Sequence, residues 1–273
     1  MENGTITYTQ LLREDLGIFR VTPDGEVPDF KAGQFLTLGL PLDSKIVNRA
    51  YSIASSPENK KFFEFVIRWV RRPLPGRLTS LLFNAKIGDK ISWAKPAGNL
   101  TINDTLANGE KDSRRIVCIG GGTGLAPFVS FAQHLHDTND KREIVILHGA
   151  SYVDELSYKQ LLTDLENESI EKGKDKWNFK YRAAISRPQE WTNRAWHGYK
   201  GRIEQFLRTS DNGKSALEEL VGEKITKDNT IFYVCGWQGT IDGVMDYLKA
   251  KNFVTEKNKR EDGSYEVKFE SYG

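Results

Sequence analysis

A polar stretch from Asn103 to Arg115 separates two parts of the chain with different periodicities, and this change constrains the fold more than any other feature. Before it, short runs rich in β-branched and aromatic residues recur: Thr5 to Leu12, Leu16 to Thr22, Gln34 to Leu40, Ala50 to Ala54, Phe62 to Val70 and Lys90 to Trp93. Pro23-Asp24-Gly25, Ser56-Pro57-Glu58-Asn59 and Ile87-Gly88-Asp89 supply turns between them. One helical window interrupts them, Leu78 to Phe83. Closely spaced short strands predict a small closed barrel. Beyond Arg115 strand and helix patterns alternate. Strands are expected at Arg115 to Ile119, Glu143 to His148, Phe179 to Ile185 and Thr230 to Cys235. Helices are expected at Ala126 to His136, Leu156 to Glu168, Ile203 to Arg208, Ser215 to Leu220 and Thr240 to Lys249. Such alternation predicts a parallel sheet covered on both faces.

Composition narrows the function. Lys+Arg 39 against Asp+Glu 37 is too balanced for nucleic acid as the main partner, and the excess of +2 falls within residues 1–112. No apolar run reaches the length of a spanning helix, and the start Met1-Glu2-Asn3-Gly4 has no signal-peptide pattern. Cys118 and Cys235 alone cannot make a disulfide framework, an in-chain four-cysteine iron–sulfur cluster or a zinc ribbon, which points to a reducing cytosol. His134, His136, His148 and His197 show no metal-ligand spacing, so no metal is assigned.

Two segments carry chemistry. In Gly120-Gly121-Gly122-Thr123-Gly124-Leu125-Ala126-Pro127-Phe128, a buried strand feeds a glycine turn and an apolar helix leaves it. Glycines admit a pyrophosphate close to the backbone, and the helix start offers free N–H groups. Proline is harmless in that first turn. A plain strand-to-helix turn is the other reading, and Pro127 replaces the last glycine of the G-x-G-x-x-G pattern. In Arg49-Ala50-Tyr51-Ser52-Ile53-Ala54-Ser55-Ser56-Pro57, a strand puts Arg49 and Tyr51 on one face and Ser52 on the other. A guanidinium clamps phosphate, a ring stacks on a flat heterocycle and a hydroxyl reaches a ring nitrogen. An ordinary barrel strand is the alternative.

Taken in order, Arg49 to Ser56, Gly122 to Phe128 and Cys235-Gly236-Trp237-Gln238-Gly239 resemble the ferredoxin–NADP(+) reductase family over essentially the whole chain. The resemblance implies an antiparallel Greek-key flavin-binding barrel, residues 1–108, followed by a parallel-sheet nucleotide-binding α/β domain, residues 113–273, whose C-terminal tail returns to the flavin. It implies that Arg49 binds the FAD pyrophosphate, Tyr51 stacks on the isoalloxazine and Ser52 bonds near flavin N5. Gly76, Leu78 and Thr79 match the second flavin element, and Val66 and Arg68 lie on the strand passing the adenylate. Arg71 and Arg72 read as solvated barrel surface.

For the dinucleotide, the resemblance assigns Gly122, Thr123, Gly124 and Pro127 to the pyrophosphate. It assigns Ser186, Arg187 and Arg202 to the 2′-phosphate of NADP(H), with Tyr199 loosely spaced for adenine. Cys235 and Gly236 stand at the strand end beside the nicotinamide, whereas Cys118 is core. Bacterial members often carry arginine after His-x-Ala, but Ser151 follows His148-Gly149-Ala150. Glu270 and Tyr272 match the terminal Glu-x-Tyr of plant-type members, with Gly273 beyond; a frayed tail is the alternative. Ser52, Cys235, Glu270 and Tyr272 form the expected catalytic set. The implied activity is electron exchange between NADP(H) and ferredoxin or flavodoxin, a transient and electrostatically guided partner, in the cytoplasm. A flavin or ferric reductase, a reductase component of an oxygenase and a non-catalytic FAD-binding redox module stay open.

Overall fold

The computed structural model describes residues 1–71, 75–211 and 213–272, so Arg72 and Gly273 lie outside the described residues. Contacts divide the chain into two compact units, Met1–Thr101 with Ala126–Thr138, and Ile102–Leu125 with Asn139–Gly273.

The first unit contains β1 (Glu2–Arg13), β2 (Leu16–Pro23), β3 (Phe35–Leu42), β4 (Lys45–Ser52), β5 (Phe63–Arg68), α1 (Arg77–Asn84) and β6 (Lys90–Trp93). The strands form one antiparallel sheet of order β4-β3-β6-β1-β2-β5. Ile6, Phe19, Leu36, Leu38, Phe63 and Trp93 face one core, which Leu78 and Leu82 of α1 enter. The strand expected at Ala50 to Ala54 begins instead at Lys45 and ends at Ser52. Its first half, Lys45 to Asn48, lies largely exposed on a sheet edge, and the adjacent Ile46 and Val47 give no alternation of apolar and polar residues to read. A two-residue turn joins it to β3, with Leu42 opposite Lys45 and Asp43 in the left-handed region at φ 54°.

Helix α2 (Ala126–Asp137) packs with this unit although the dinucleotide-like loop leads into it. Ser130 Oγ donates to the Ser55 carbonyl at 2.8 Å and Gln133 Nε2 to the Ala54 carbonyl at 2.9 Å. The Ser56 hydroxyl sits 2.6 Å from both the Glu58 and Asp137 carboxylates. Side chains of α2 therefore hold the segment that leaves β4.

The second unit contains β7 (Arg115–Gly121), β8 (Ile144–Ala150), α3 (Lys159–Lys172), β9 (Phe179–Ile185), β10 (Tyr199–Lys200), α4 (Ala216–Val221), β11 (Thr230–Gly236), α5 (Gln238–Ala250) and β12 (Val267–Ser271). They build a parallel sheet of order β10-β9-β8-β7-β11-β12. Val117, Val145, Leu147, Phe232 and Val234 are fully buried on it, which explains the continuous apolar runs in the sequence. At the start of the strands, Glu143 binds Arg115 and Lys180, joining β7, β8 and β9 by charge.

Two expectations are corrected here, and one strand not read from the sequence is found. The helix expected from Leu156 starts at Lys159, after Tyr158 in the left-handed region at φ 57°. Ile203–Leu207 is a 3-10 turn rather than an α-helix. The C-terminus is a paired strand, β12, because Val267 enters the core and draws the following residues onto the β11 edge. Among the described residues no helix is long and apolar enough to cross a membrane.

Candidate active site

In the first unit, the proposed flavin residues sit on the two edges of the antiparallel sheet. Arg49, Tyr51 and Ser52 are on β4; Val66 and Arg68 are on β5. The Ala54 N–H donates to the Glu64 carbonyl at 2.8 Å, while no ladder among the described residues pairs β4 with β5. Exposed Arg49 has no carboxylate partner among the described residues, and its charge acts on the Tyr51 phenol. Burial raises the Tyr51 pKa and the guanidinium opposes the rise. The phenol oxygen of Tyr51 is buried without a protein hydrogen bond. A buried polar atom left unpaired beside an uncompensated cation is a costly arrangement that a polar ligand would relieve.

Other residues of this group are more committed. Arg68 Nη1 bonds Asp15 Oδ2 at 3.0 Å, so it reaches a ligand only by sharing or leaving that carboxylate. Gly76 caps α1, and its carbonyl accepts from Thr79 Oγ1 at 3.0 Å and Ser80 Oγ at 2.8 Å. A Cβ at Gly76 would stand 2.4 Å from the Thr79 hydroxyl, so glycine permits this tight start. Leu78 is buried and acts in the core.

In the second unit, β7 pairs with β8 on one side and β11 on the other, placing Gly120 between His148 and Cys235. Ligands of open α/β sheets bind at such a reversal of strand order, beyond the C-terminal ends. Gly122–Leu125 forms a 3-10 turn there, leading into α2 with Pro127 in its first turn. A Cβ on Gly124 would stand 2.3 Å from the Cys235 carbonyl oxygen, so only glycine lets the turn lie on β11. Gly122 has φ 57° with open space where a Cβ would be. Thr123 is half-buried between them. Beneath the turn, His148 is fully buried, with Nδ1 3.2 Å from Tyr181 Oη. Burial lowers its pKa to about 4, against a smaller opposing pull from the Gly122 backbone.

Cys235 is as completely buried as Cys118. Burial raises its thiol pKa, and a hydrogen bond from the Tyr272 hydroxyl opposes the rise. The Tyr272 N–H donates to the Gly236 carbonyl at 3.0 Å. Glu270 lies opposite Cys235 in register, and burial raises its pKa. Cys235, Gly236, Glu270 and Tyr272 therefore form one cluster at the ends of β11 and β12.

Ser186-Arg187 and Gly201-Arg202 leave the ends of adjacent strands, because Lys200 pairs with Ile185. Both arginines are exposed. Arg202 Nε binds Glu204, and its Nη2 donates to the Gly239 carbonyl at 3.1 Å. Arg187 Nη1 donates to Tyr152 Oη at 2.9 Å, with its guanidinium carbon 5.4 Å from that ring's centroid. Tyr199 packs its ring on Phe206 at 4.3 Å.

Two residues were missed by sequence reasoning. Tyr152 had a readable signal, an aromatic just beyond the end of β8. Asn193 had none: its buried amide donates to the Ser151 and Arg187 carbonyls at 3.0 and 2.8 Å and accepts from the Val153 N–H at 2.9 Å.

Residues 3–102 match the Oxidoreductase FAD-binding domain and residues 118–246 the Oxidoreductase NAD-binding domain. The Flavodoxin/ferredoxin--NADP reductase of Buchnera aphidicola subsp. Schizaphis graminum (strain Sg) is 25% identical, covering 89% of this chain and 88% of its own. The chain belongs to the ferredoxin–NADP(+) reductase family.

As a member of that family it is an oxidoreductase that binds FAD and a nicotinamide dinucleotide. The fold matches a ferredoxin NADP+ reductase from Neisseria gonorrhoeae with bound FAD and NADP, with TM-score 0.76, 22% identity and coverage of 98% and 97%. A component of the Na(+)-translocating NADH-quinone reductase of Marinomonas sp. (strain MWYL1) is 30% identical over 78% of this chain. The chain spans about half the length of that relative, 55%. The family's two groups fit the residues present: the unpaired Tyr51 phenol beside Arg49 suits an anionic flavin nucleotide, and the open Gly122 face suits a pyrophosphate.

Proposed function

We infer that the chain is an FAD-dependent reductase exchanging electrons between NADP(H) and a one-electron protein carrier, ferredoxin or flavodoxin. Tyr272 carries this reading. An aromatic bonded through its main chain to Gly236 and through its hydroxyl to Cys235 stands beyond the strand ends of the dinucleotide sheet, where a nicotinamide would seek the same place.

Bound FAD supplies hydride acceptance and one-electron transfer. Arg49 holds its pyrophosphate, joined by Gly76, Leu78 and Thr79 at the start of α1. Tyr51 would stack on the ring system, Ser52 would supply a hydroxyl to it, and Val66 and Arg68 would hold the adenylate part. Gly122, Thr123, Gly124 and Pro127 take the dinucleotide pyrophosphate, while Ser186, Arg187 and Arg202 take the 2′-phosphate. Cys235, Gly236 and Glu270 line the nicotinamide position and Tyr272 gates it, so the protein's contribution is orientation and exclusion of water. The domains in this reading are residues 1–108 for FAD and 113–273 for NADP(H), the tail of the latter serving the flavin. Free, buried Cys118 and Cys235 support a cytoplasmic setting.

A second reading, NADH-dependent electron entry into a larger assembly, draws on Arg202, whose charge Glu204 offsets, and on the NADH-quinone reductase relative. Steady-state reduction of ferredoxin, flavodoxin and free flavin with NADPH and NADH in parallel separates the readings. The proposed function expects a protein carrier to be reduced best, with NADPH; reduction of free flavin alone, or a preference for NADH, contradicts it.

A further inference from the structure

We propose that Tyr152 is a specificity-determining positioning residue, holding the Arg187 guanidinium ready for the 2′-phosphate of a phosphorylated adenosine; this rests on the NADP(H) reading above. The two arginines at the strand ends are held in electrically different ways. Arg202 is bound to the Glu204 carboxylate, so its charge is offset before any phosphate arrives. Arg187 has no carboxylate partner among the described residues. It donates to the neutral Tyr152 hydroxyl at 2.9 Å, with its guanidinium carbon 5.4 Å from the ring centroid. A neutral partner fixes the direction of the fork and leaves its full positive charge for the ligand.

The segment bearing Tyr152 is itself fixed. The buried Asn193 amide bonds the main chain at Ser151, Val153 and Arg187, tying the segment after β8 to the segment after β9. Glu155 accepts from the Ser151 N–H at 3.1 Å from the other side. Both ends of the Tyr152–Arg187 pair thus start from stapled backbone, and only the long arginine side chain is left to order. Ordering it in advance removes part of the entropy that phosphate binding would otherwise lose. Ser151 supplies no charge at the neighbouring position, so discrimination falls on the arginine that Tyr152 holds.

The test is calorimetric titration of the FAD-loaded protein with 2′,5′-ADP and with 5′-AMP, which differ by the 2′-phosphate. Wild type, Tyr152→Phe, Arg187→Ala and the double variant are compared. Tyr152→Phe is expected to lower the 2′,5′-ADP/5′-AMP affinity ratio about threefold to tenfold, to raise KM for NADPH and to leave kcat unchanged. With Arg187 already replaced, adding Tyr152→Phe should change nothing, because the tyrosine acts through the arginine. An unchanged ratio in Tyr152→Phe, equal losses for both nucleotides, or a Tyr152→Phe effect that persists without Arg187 overturns the proposal. A wild type blind to the 2′-phosphate overturns the NADP(H) reading as well; a selective wild type with an equally selective Tyr152→Phe overturns only the role of Tyr152.

Discussion

Cys235 and Glu270 stand opposite each other in parallel register at the C-terminal ends of β11 and β12, and Tyr272, two residues beyond the glutamate, hydrogen-bonds the cysteine sulfur. Burial raises the pKa of both the thiol and the carboxyl, favouring their uncharged forms. A raised thiol pKa argues against a nucleophilic cysteine.

The first expectation concerns that ring. If Tyr272 occupies the nicotinamide position, Tyr272→Ser should tighten NADP(+) by about tenfold, near the ~1.5 kcal/mol of one aromatic contact. Release should slow, so turnover with NADPH should fall while relative use of NADH rises. The measurements are the NADP(+) dissociation constant, the NADH/NADPH efficiency ratio and the nicotinamide–flavin charge-transfer band; wild-type values for all three would leave the tyrosine without a gating role.

Arg49 is exposed and lacks a carboxylate partner among the described residues, so its replacement breaks no ion pair described in the fold. Arg49→Ala should weaken FAD binding by roughly 1.5–3 kcal/mol, the range for a hydrogen bond to a charged group, with little change in Tm of the FAD-free protein. Fluorescence titration of the apoprotein with FAD measures it.

The different partners of the two strand-end arginines predict unequal effects. Arg187→Ala should reduce NADPH selectivity by about tenfold to a hundredfold, corresponding to roughly 1.5–3 kcal/mol. Arg202→Ala should cost less, because Glu204 already offsets that charge. Glu204→Gln should increase preference for NADPH. Ratios of kcat/KM for the two nucleotides decide it, and equal effects on both would place these side chains outside the 2′-phosphate site.

His148 gives a dependence on pH. Its folded pKa is lowered from 6.5 to about 4, so between those values the unfolded chain binds a proton that the folded chain refuses. Stability is therefore full above about pH 6.5 and falls as the pH drops toward 4, by up to about 3 kcal/mol. Denaturant titrations of wild type and His148→Gln across that window should show the slope flattened in the variant.

The order of β strands followed by alternating strands and helices was legible because buried faces repeat at periods of two and 3.6 residues. The glycine turn was legible too, since Gly124 leaves no room for a Cβ against the Cys235 carbonyl. The start of β4 was not, because on this edge strand Ile46 and Val47 stand side by side in a largely exposed stretch, without the alternation that marks a buried face. The packing of α2 with the first unit was equally hidden: it depends on bonds from Ser130 and Gln133 to carbonyls, which any sequence supplies. The Tyr152–Arg187 pair joins residues 35 apart in sequence, brought together by parallel pairing of β8 with β9.

The most direct test of the reductase reading is anaerobic rapid mixing of the FAD-loaded protein with NADPH or NADH, following visible flavin absorption, then adding oxidised ferredoxin or flavodoxin. Fast bleaching by NADPH, slower bleaching by NADH and return of the colour with the carrier is the expected result. No bleaching by either nucleotide, or a flavin that NADPH reduces but neither carrier reoxidises, would contradict it.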